Sequence, residues 1–264
     1  MLKEIGFDAI SPEWESLEKL AEIAKEANDN GLMIASLHAP YGKVADMWGD
    51  NEEKAGSAVA SLMESLEACR QFCIPIMVVH TWIGFDYTFK KSEQGLKNYA
   101  KIVEAAEAYG VKIAFENTEG EEYLYTLMEY FKGNDTVCFC WDSGHEMCYN
   151  HSVDLLGKYG DRLGFTHLND NLGISRYNGR IYWTDDLHLL PYDGVADWNY
   201  NIERLKKAKP LEILNFELRI VSKPKRHEND GYEKMELQLF FTEVYKRACR
   251  IAYQYSAIST HRDI

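Results

Sequence analysis

Six polar residues stand at or near the ends of six apolar runs. His38 closes the run 32–38, His80 closes 76–80, Glu116 closes 111–116 and Asp142 closes 137–142, while His167 and Glu217 lie close to the ends of 163–169 and 213–218. A single imidazole or carboxylate at the end of a buried run is ordinarily just hydrogen-bonded. Three carboxylates and three imidazoles crowded together would instead distort one another's ionisation unless a cation lay between them. Mixed Asp, Glu and His donors suit manganese, zinc, cobalt or magnesium. The chemistry available is therefore Lewis-acid polarisation beside carboxylates that can move protons. His145, three residues after Asp142, and the Asp186-Leu-His188 pair could extend the set. Alone, that last pair reads as solvated loop.

Those six ends must be brought to one place. Side chains alternate along a strand, so residues two apart share a face. One face carries Ser36 and His38, Val78 and His80, Ala114 and Glu116, Cys140 and Asp142, Phe165 and His167, Asn215 and Glu217. The other carries Ile113 and Phe115, Phe139 and Trp141, Leu214, Phe216 and Leu218. Between the runs lie helical patterns at 14–28, 52–73, 90–109 and 233–255, the first expected to be capped by Ser11-Pro12. Strict alternation of strand and helix predicts parallel strands with crossover helices. The fold class expected is α/β, a parallel (β/α) TIM-type barrel, with residues 1–264 as one domain. An open doubly wound sheet is the competitor, but the glycine-rich first turn typical of it is not seen. In a barrel the strand ends meet at the C-terminal rim, where active sites lie.

Seven strands are expected, the first at 7–10. The chain opens on Met1-Leu-Lys-Glu-Ile-Gly6, which reads as the tail of a helix running into that strand, so a first strand of the usual eight is expected to be missing. None of the six rim residues depends on it. An edge left unpaired there needs a cover, and a homodimer would supply one.

Bulk properties narrow the function classes. At 264 residues, 46% hydrophobic and 27% charged, the sequence is that of an ordinary globular protein. Its net charge of -13 opposes nucleic-acid binding. The clusters Lys206-Lys207 and Lys223-Pro-Lys-Arg226 read as solvated surface. The six cysteines show no zinc-knuckle spacing and read as reduced core thiols. No signal peptide and no membrane span are expected, so a cytoplasmic location is.

Several motifs together carry a family resemblance. They are Ser36-Leu-His-Ala-Pro-Tyr41, Val79-His80, Phe115-Glu-Asn-Thr-Glu-Gly120, Trp141-Asp-Ser-Gly-His145, Thr166-His-Leu-Asn-Asp-Asn171, Asp186-Leu-His-Leu-Leu-Pro191 with Gly194 and Asp197-Trp198, and Phe216-Glu217. In this order, at strand ends between about residues 30 and 220, they resemble the xylose isomerase-like barrel superfamily. Its sugar and sugar-phosphate isomerase and epimerase branch implies one divalent metal, Mn2+ or Zn2+ before Co2+ or Mg2+, on Glu116, Asp142, His167 and Glu217. The resemblance further implies that Glu116 and Glu217 act as acid and base through an enediolate. His145 would contact a substrate oxygen, and Trp82 could offer a face to a sugar ring. Its endonuclease IV branch implies a three-zinc cluster on those four residues with His38, His80, His145, Asp186 and His188, cleaving abasic DNA. The acidic charge favours the sugar reading. So does the loop 171–185, which carries only Arg176 and Arg180 as cations.

Overall fold

The computed structural model describes residues 1–257. Its strands are β1 (Ala9–Ile10), β2 (Met33–Ile34), β3 (Leu37–His38), β4 (Ile76–His80), β5 (Lys112–Glu116), β6 (Val137–Asp142) and β7 (Leu163–His167). All pair in parallel, β1 with β2 and then β3 through β7 in sequence order. The helices are α1 (Leu2–Ile5), α2 (Leu17–Asp29), α3 (Glu52–Gln71), α4 (Glu93–Tyr109), α5 (Glu121–Tyr130), α6 (Ser143–Cys148), α7 (Leu155–Tyr159), α8 (Trp198–Lys207), α9 (Asp230–Glu233) and α10 (Leu237–Ser256). The result is a curled parallel sheet with helical crossovers, an incomplete TIM barrel.

Three elements differ from the sequence expectation. The run 32–38 divides into β2 and β3, which face the 9–14 segment on one side and β4 on the other. His38 N donates to Pro12 O and Trp14 N to His38 O, each at 2.9 Å. That pairing occupies the backbone expected to start the first long helix. Helix α2 therefore begins at Leu17, where Ser16 Oγ accepts from Lys19 N at 3.2 Å. The run 213–218 forms a single parallel bridge, Leu168 with Phe216. Thr166 Oγ1 takes the Asn215 N–H at 3.1 Å in place of a ladder rung, and Arg219 N turns away to His188 O at 3.0 Å.

The two faces separate as the alternation predicts. The axial side buries Ala35, Val78, Ala114, Cys138, Cys140 and Phe165. The opposite side joins Leu37, Met77, Val79, Ile113, Phe115, Phe139 and Trp141 to the helix faces, including Leu62, Leu66, Tyr99, Ile102 and Leu124. Each fully buried large apolar side chain of this layer contributes about 1.5–3 kcal/mol. Helix α4 shows how the crossovers are delimited. Ser92 Oγ accepts from Gly95 N at 2.9 Å at its start, and Gly110 takes the left-handed conformation (φ 70°) at its end.

Among the described residues no bridge joins β1 to the 213–218 segment. Helix α10 gathers side chains from both sides of that opening. Phe240 and Val244 are buried with Leu190 against Phe7, Leu218 and Ile220, and the Phe7 ring lies 5.2 Å from that of Tyr245. All six cysteines are free thiols, four of them buried. No helix among the described residues is long and apolar enough to cross a membrane.

Candidate metal centre

Strand register sets the centre. It pairs His80 with Glu116 across β4 and β5, and Asp142 with His167 across β6 and β7. Glu116, fully buried, is the hub. His38 Nε2 and His80 Nε2 each lie 3.3 Å from its Oε2, while His167 Nδ1 at 3.0 Å and His145 Nδ1 at 3.4 Å face its Oε1. Glu217 brings Oε2 to 3.0 Å from the same His167 nitrogen. Beyond His145, Asp186 lies 3.4 Å from His145 Nε2 and 2.9 Å from His188 Nε2. The structure thus gathers all nine expected ligand residues, His38, His80, Glu116, Asp142, His145, His167, Asp186, His188 and Glu217. They fall into sets whose donor atoms lie within 4.8 Å of one another: three overlapping ones, among them Glu116–Asp142–His167–Glu217, and a separate one, His145–Asp186–His188.

The donors fit a cation. His38 Nδ1 faces Ala39 O at 2.9 Å, and His188 Nδ1 faces Glu217 O at 3.1 Å. A carbonyl only accepts, so each Nδ1 carries the proton, and the neutral ring turns an Nε2 lone pair toward a carboxylate. Acceptor then faces acceptor unless a proton or a metal ion lies between. Glu116 Oε2, Glu217 Oε2 and Asp186 Oδ1 are buried and accept no well-formed hydrogen bond from the protein, with only imidazole nitrogens 2.9–3.3 Å away. Asp142 is held for the same purpose. Its Oδ2 accepts from Asn169 Nδ2 at 2.9 Å and its Oδ1 from His145 N at 2.6 Å. Such outer partners orient ligands.

Electrostatics describe the same competition between proton and cation. Burial alone would raise Glu116, but the imidazoles of His167 and His80 outweigh it and hold the carboxyl well below its usual range. Burial likewise opposes the lowering of Glu217, which His167 and His188 impose. Asp186 is held well below its usual range by His188 and His145 against the same penalty. Asp142 shows the reverse balance, with burial dominating and pushing it up to about 6. Burial would depress the imidazoles, yet their carboxylate neighbours raise His145 and His167 well above the ordinary value and His188 to about 9.

Other residues belong to the surroundings. Trp82 packs among aromatic neighbours. Its ring stacks on Tyr123 at 4.3 Å and its Nε1 donates to Gly84 O at 2.9 Å. Trp141 points outward and donates to Glu146 Oε2 at 3.0 Å. Sequence reasoning passed over Tyr41, stacked on His80 at 4.7 Å, and Tyr149, stacked on His145 at 4.9 Å. It also placed Lys223 on the solvated surface. Lys223 is instead buried, with Nζ 3.1 Å from Asp186 Oδ2. Its basic neighbours in sequence hid this role, because burial against a distant acid leaves no local pattern.

Asp170, within the Thr166–Asn171 motif, is a structural hub. Its Oδ1 accepts from Asn171 N at 2.8 Å and Ala196 N at 3.0 Å, and its Oδ2 accepts from Tyr192 N and Trp198 Nε1, both at 2.9 Å. It ties the loop before α8 to the rim. Gly194 is required beside it, because a Cβ there would lie 2.2 Å from Asp170 Oδ1.

A family model described as a xylose isomerase-like TIM barrel matches residues 1–235. The uncharacterized protein y4fM of Sinorhizobium fredii is 30% identical over 255 residues, spanning 82% of this chain and 78% of its own length. A D-psicose 3-epimerase of Enterocloster bolteae is 23% identical over 211 residues, spanning 73% of this chain and 70% of its own. Among solved structures, a D-psicose 3-epimerase with D-tagatose from Clostridium cellulolyticum aligns with a TM-score of 0.70 at 13% identity, over 96% of this chain and 91% of that one. The IolI protein with a zinc atom aligns with a TM-score of 0.71 at 18% identity, over 97% and 94%. At these identities the structural likeness speaks for the fold.

Proposed function

This chain belongs to the xylose isomerase-like TIM barrel family, and from that premise we propose that it is a divalent-metal-dependent isomerase or epimerase of sugars or sugar phosphates. The observation that carries the proposal is the placement of Glu116 and Glu217 on one imidazole, each 3.0 Å from His167 Nδ1 and in one ligand set with Asp142. The D-psicose 3-epimerase relatives support the reaction class, and the zinc atom of IolI supports the metal.

Glu116, Asp142, His167 and Glu217 would hold the ion, which supplies positive charge to polarise a substrate carbonyl. Glu116 and Glu217 hold and move the proton. One takes it from the carbon next to the carbonyl, giving an enediolate. The other returns it, to the opposite face in an epimerisation or to the neighbouring carbon in an isomerisation. Glu217 has its side chain 29% exposed and Glu116 has none, so Glu217 is the carboxylate that meets incoming substrate. His145, His188 and Asp186 line the same rim and can hydrogen-bond substrate hydroxyls. We further propose that the whole chain acts as one barrel domain and forms a homodimer in solution. Light scattering that finds only monomer at high concentration would remove the dimer.

The test is exchange of solvent deuterium into a panel of ketoses and ketose phosphates by the metal-loaded protein. Exchange at the carbon next to the carbonyl is expected, falling about 10²–10⁴-fold in Glu116→Gln and Glu217→Gln. Absence of exchange across the panel would overturn the reading. A second reading, phosphodiester cleavage at abasic DNA on three zinc ions, is favoured by the completeness of the His38–His80–Glu116 and His145–Asp186–His188 sets. The net charge of -13 stands against it. An abasic-site cleavage assay decides between them.

A further inference from the structure

The rim contains one buried ammonium where metal chemistry has no use for it. Lys223 is 7% exposed, its Nζ lies 3.1 Å from Asp186 Oδ2, and the ring of Trp183 is centred 5.3 Å from it. Asp186 is also the only carboxylate of the His145–Asp186–His188 set, which shares no residue with the Glu116–Asp142–His167–Glu217 set. A buried lysine needs a counter-ion, and Asp186 is the acid within reach. An ammonium is a donor without a lone pair, so it cannot join the ligands. It can only compete with a cation for the same carboxylate, in surroundings that screen their repulsion poorly.

We propose that Lys223 limits how many metal ions the rim takes, its ammonium occupying Asp186 and closing the His145–Asp186–His188 set to a divalent cation. The proposal rests on the reading of the rim as a metal site, and it assigns Lys223 the selection of the metal count. His145 and His188 are thereby left free to meet substrate oxygens.

Metal-stripped full-length protein is dialysed against Zn2+ and the ions per chain are counted by elemental analysis. Lys223→Met is expected to hold one more ion per chain than wild type, and Lys223→Arg the same number as wild type. Adding Asp186→Asn to Lys223→Met should remove the extra ion. No gain in Lys223→Met overturns the proposal. Loss of one ion from Asp186→Asn with Lys223 intact also overturns it, and that variant needs no change at the lysine to be read. The readout is a count rather than turnover. A protein without isomerase activity that gains the ion would refute the proposed function and leave this inference standing.

Discussion

Replacing Asp170 by Asn separates scaffold from site within one sequence motif. The carboxylate is wholly buried and accepts four N–H groups, two on each oxygen. The amide keeps one accepting oxygen and turns an NH2 toward two of those donors. Two charge-assisted bonds are lost, each contributing about 1.5–3 kcal/mol. Donors on one side then face donors. Trp198 is itself buried, whereas Tyr192 is only partly buried. The net loss is about 4 kcal/mol. A chain of this size loses about 2–4 °C of Tm per kcal/mol, so the melting point should fall by about 8–16 °C. Thermal melts followed by circular dichroism measure the fall, and zinc content after dialysis measures the site. Metal content should be unchanged at temperatures where the variant is folded. A melting point within about 3 °C of wild type would refute the hub, and loss of metal without loss of stability would make Asp170 part of the metal centre.

Two further predictions concern the centre. Metal-free protein should lose stability as pH rises. His188 has its folded value raised to about 9 from an ordinary 6.5, so its contribution is complete below 6.5 and is lost as pH rises through 9. Asp142, raised to about 6, costs stability progressively between about 4 and 6. Each shift corresponds to about 3 kcal/mol, and their coupling makes the total less than the sum. Urea midpoints across pH 5–9 measure the trend. Added Zn2+, which takes the place of the Asp142 proton, should flatten the part of the trend below pH 6.5, and a rise in metal-free stability from pH 6.5 to 9 would refute it. In Gly144→Ala the new Cβ would lie 1.9 Å from Asn169 Oδ1, displacing the amide that holds Asp142 Oδ2. Metal affinity measured by titration calorimetry should fall about 10–100-fold. Unchanged affinity would show that Asp142 needs no such support.

The alternation of the strands was legible because each run has one apolar face and one that ends in a polar group. Parity alone placed Ala114 and Cys140 inside and Phe115 and Trp141 outside, and it brought His38, His80, Glu116, Asp142, His167 and Glu217 to one rim. Boundaries were less legible. The 11–14 segment reads as a helix start because Ser11-Pro12 has the local chemistry of a cap. The backbone of His38, more than twenty residues away, takes those hydrogen bonds instead. The run 213–218 reads as a full strand, yet the hydroxyl of Thr166 replaces one of its rungs. Both are long-range contacts with no periodic trace in the sequence. Lys223 was hidden for the same reason, since its partner Asp186 lies 37 residues upstream.

Satisfaction of hydrogen bonds, more than burial or residue type, sets the proposed metal-binding carboxylates apart from the other buried acids. Asp170, Asp142, Glu116 and Asp186 are all buried acids near the same rim. Every oxygen of Asp170 accepts two N–H bonds, so the cost of its burial is met within the protein. Asp142 is intermediate, with one bond on each oxygen, and it is the acid that burial pushes upward. Glu116, Asp186 and Glu217 each keep an oxygen that accepts no well-formed hydrogen bond from the protein, with only imidazole nitrogens, which must gain a proton or share a cation, facing it. A fold evolves such an arrangement at a net cost unless something outside the chain completes it. The deficit falls on the acids of the two separate ligand sets. Among the described residues, the acid of one of the two sets is paired with a lysine, Lys223.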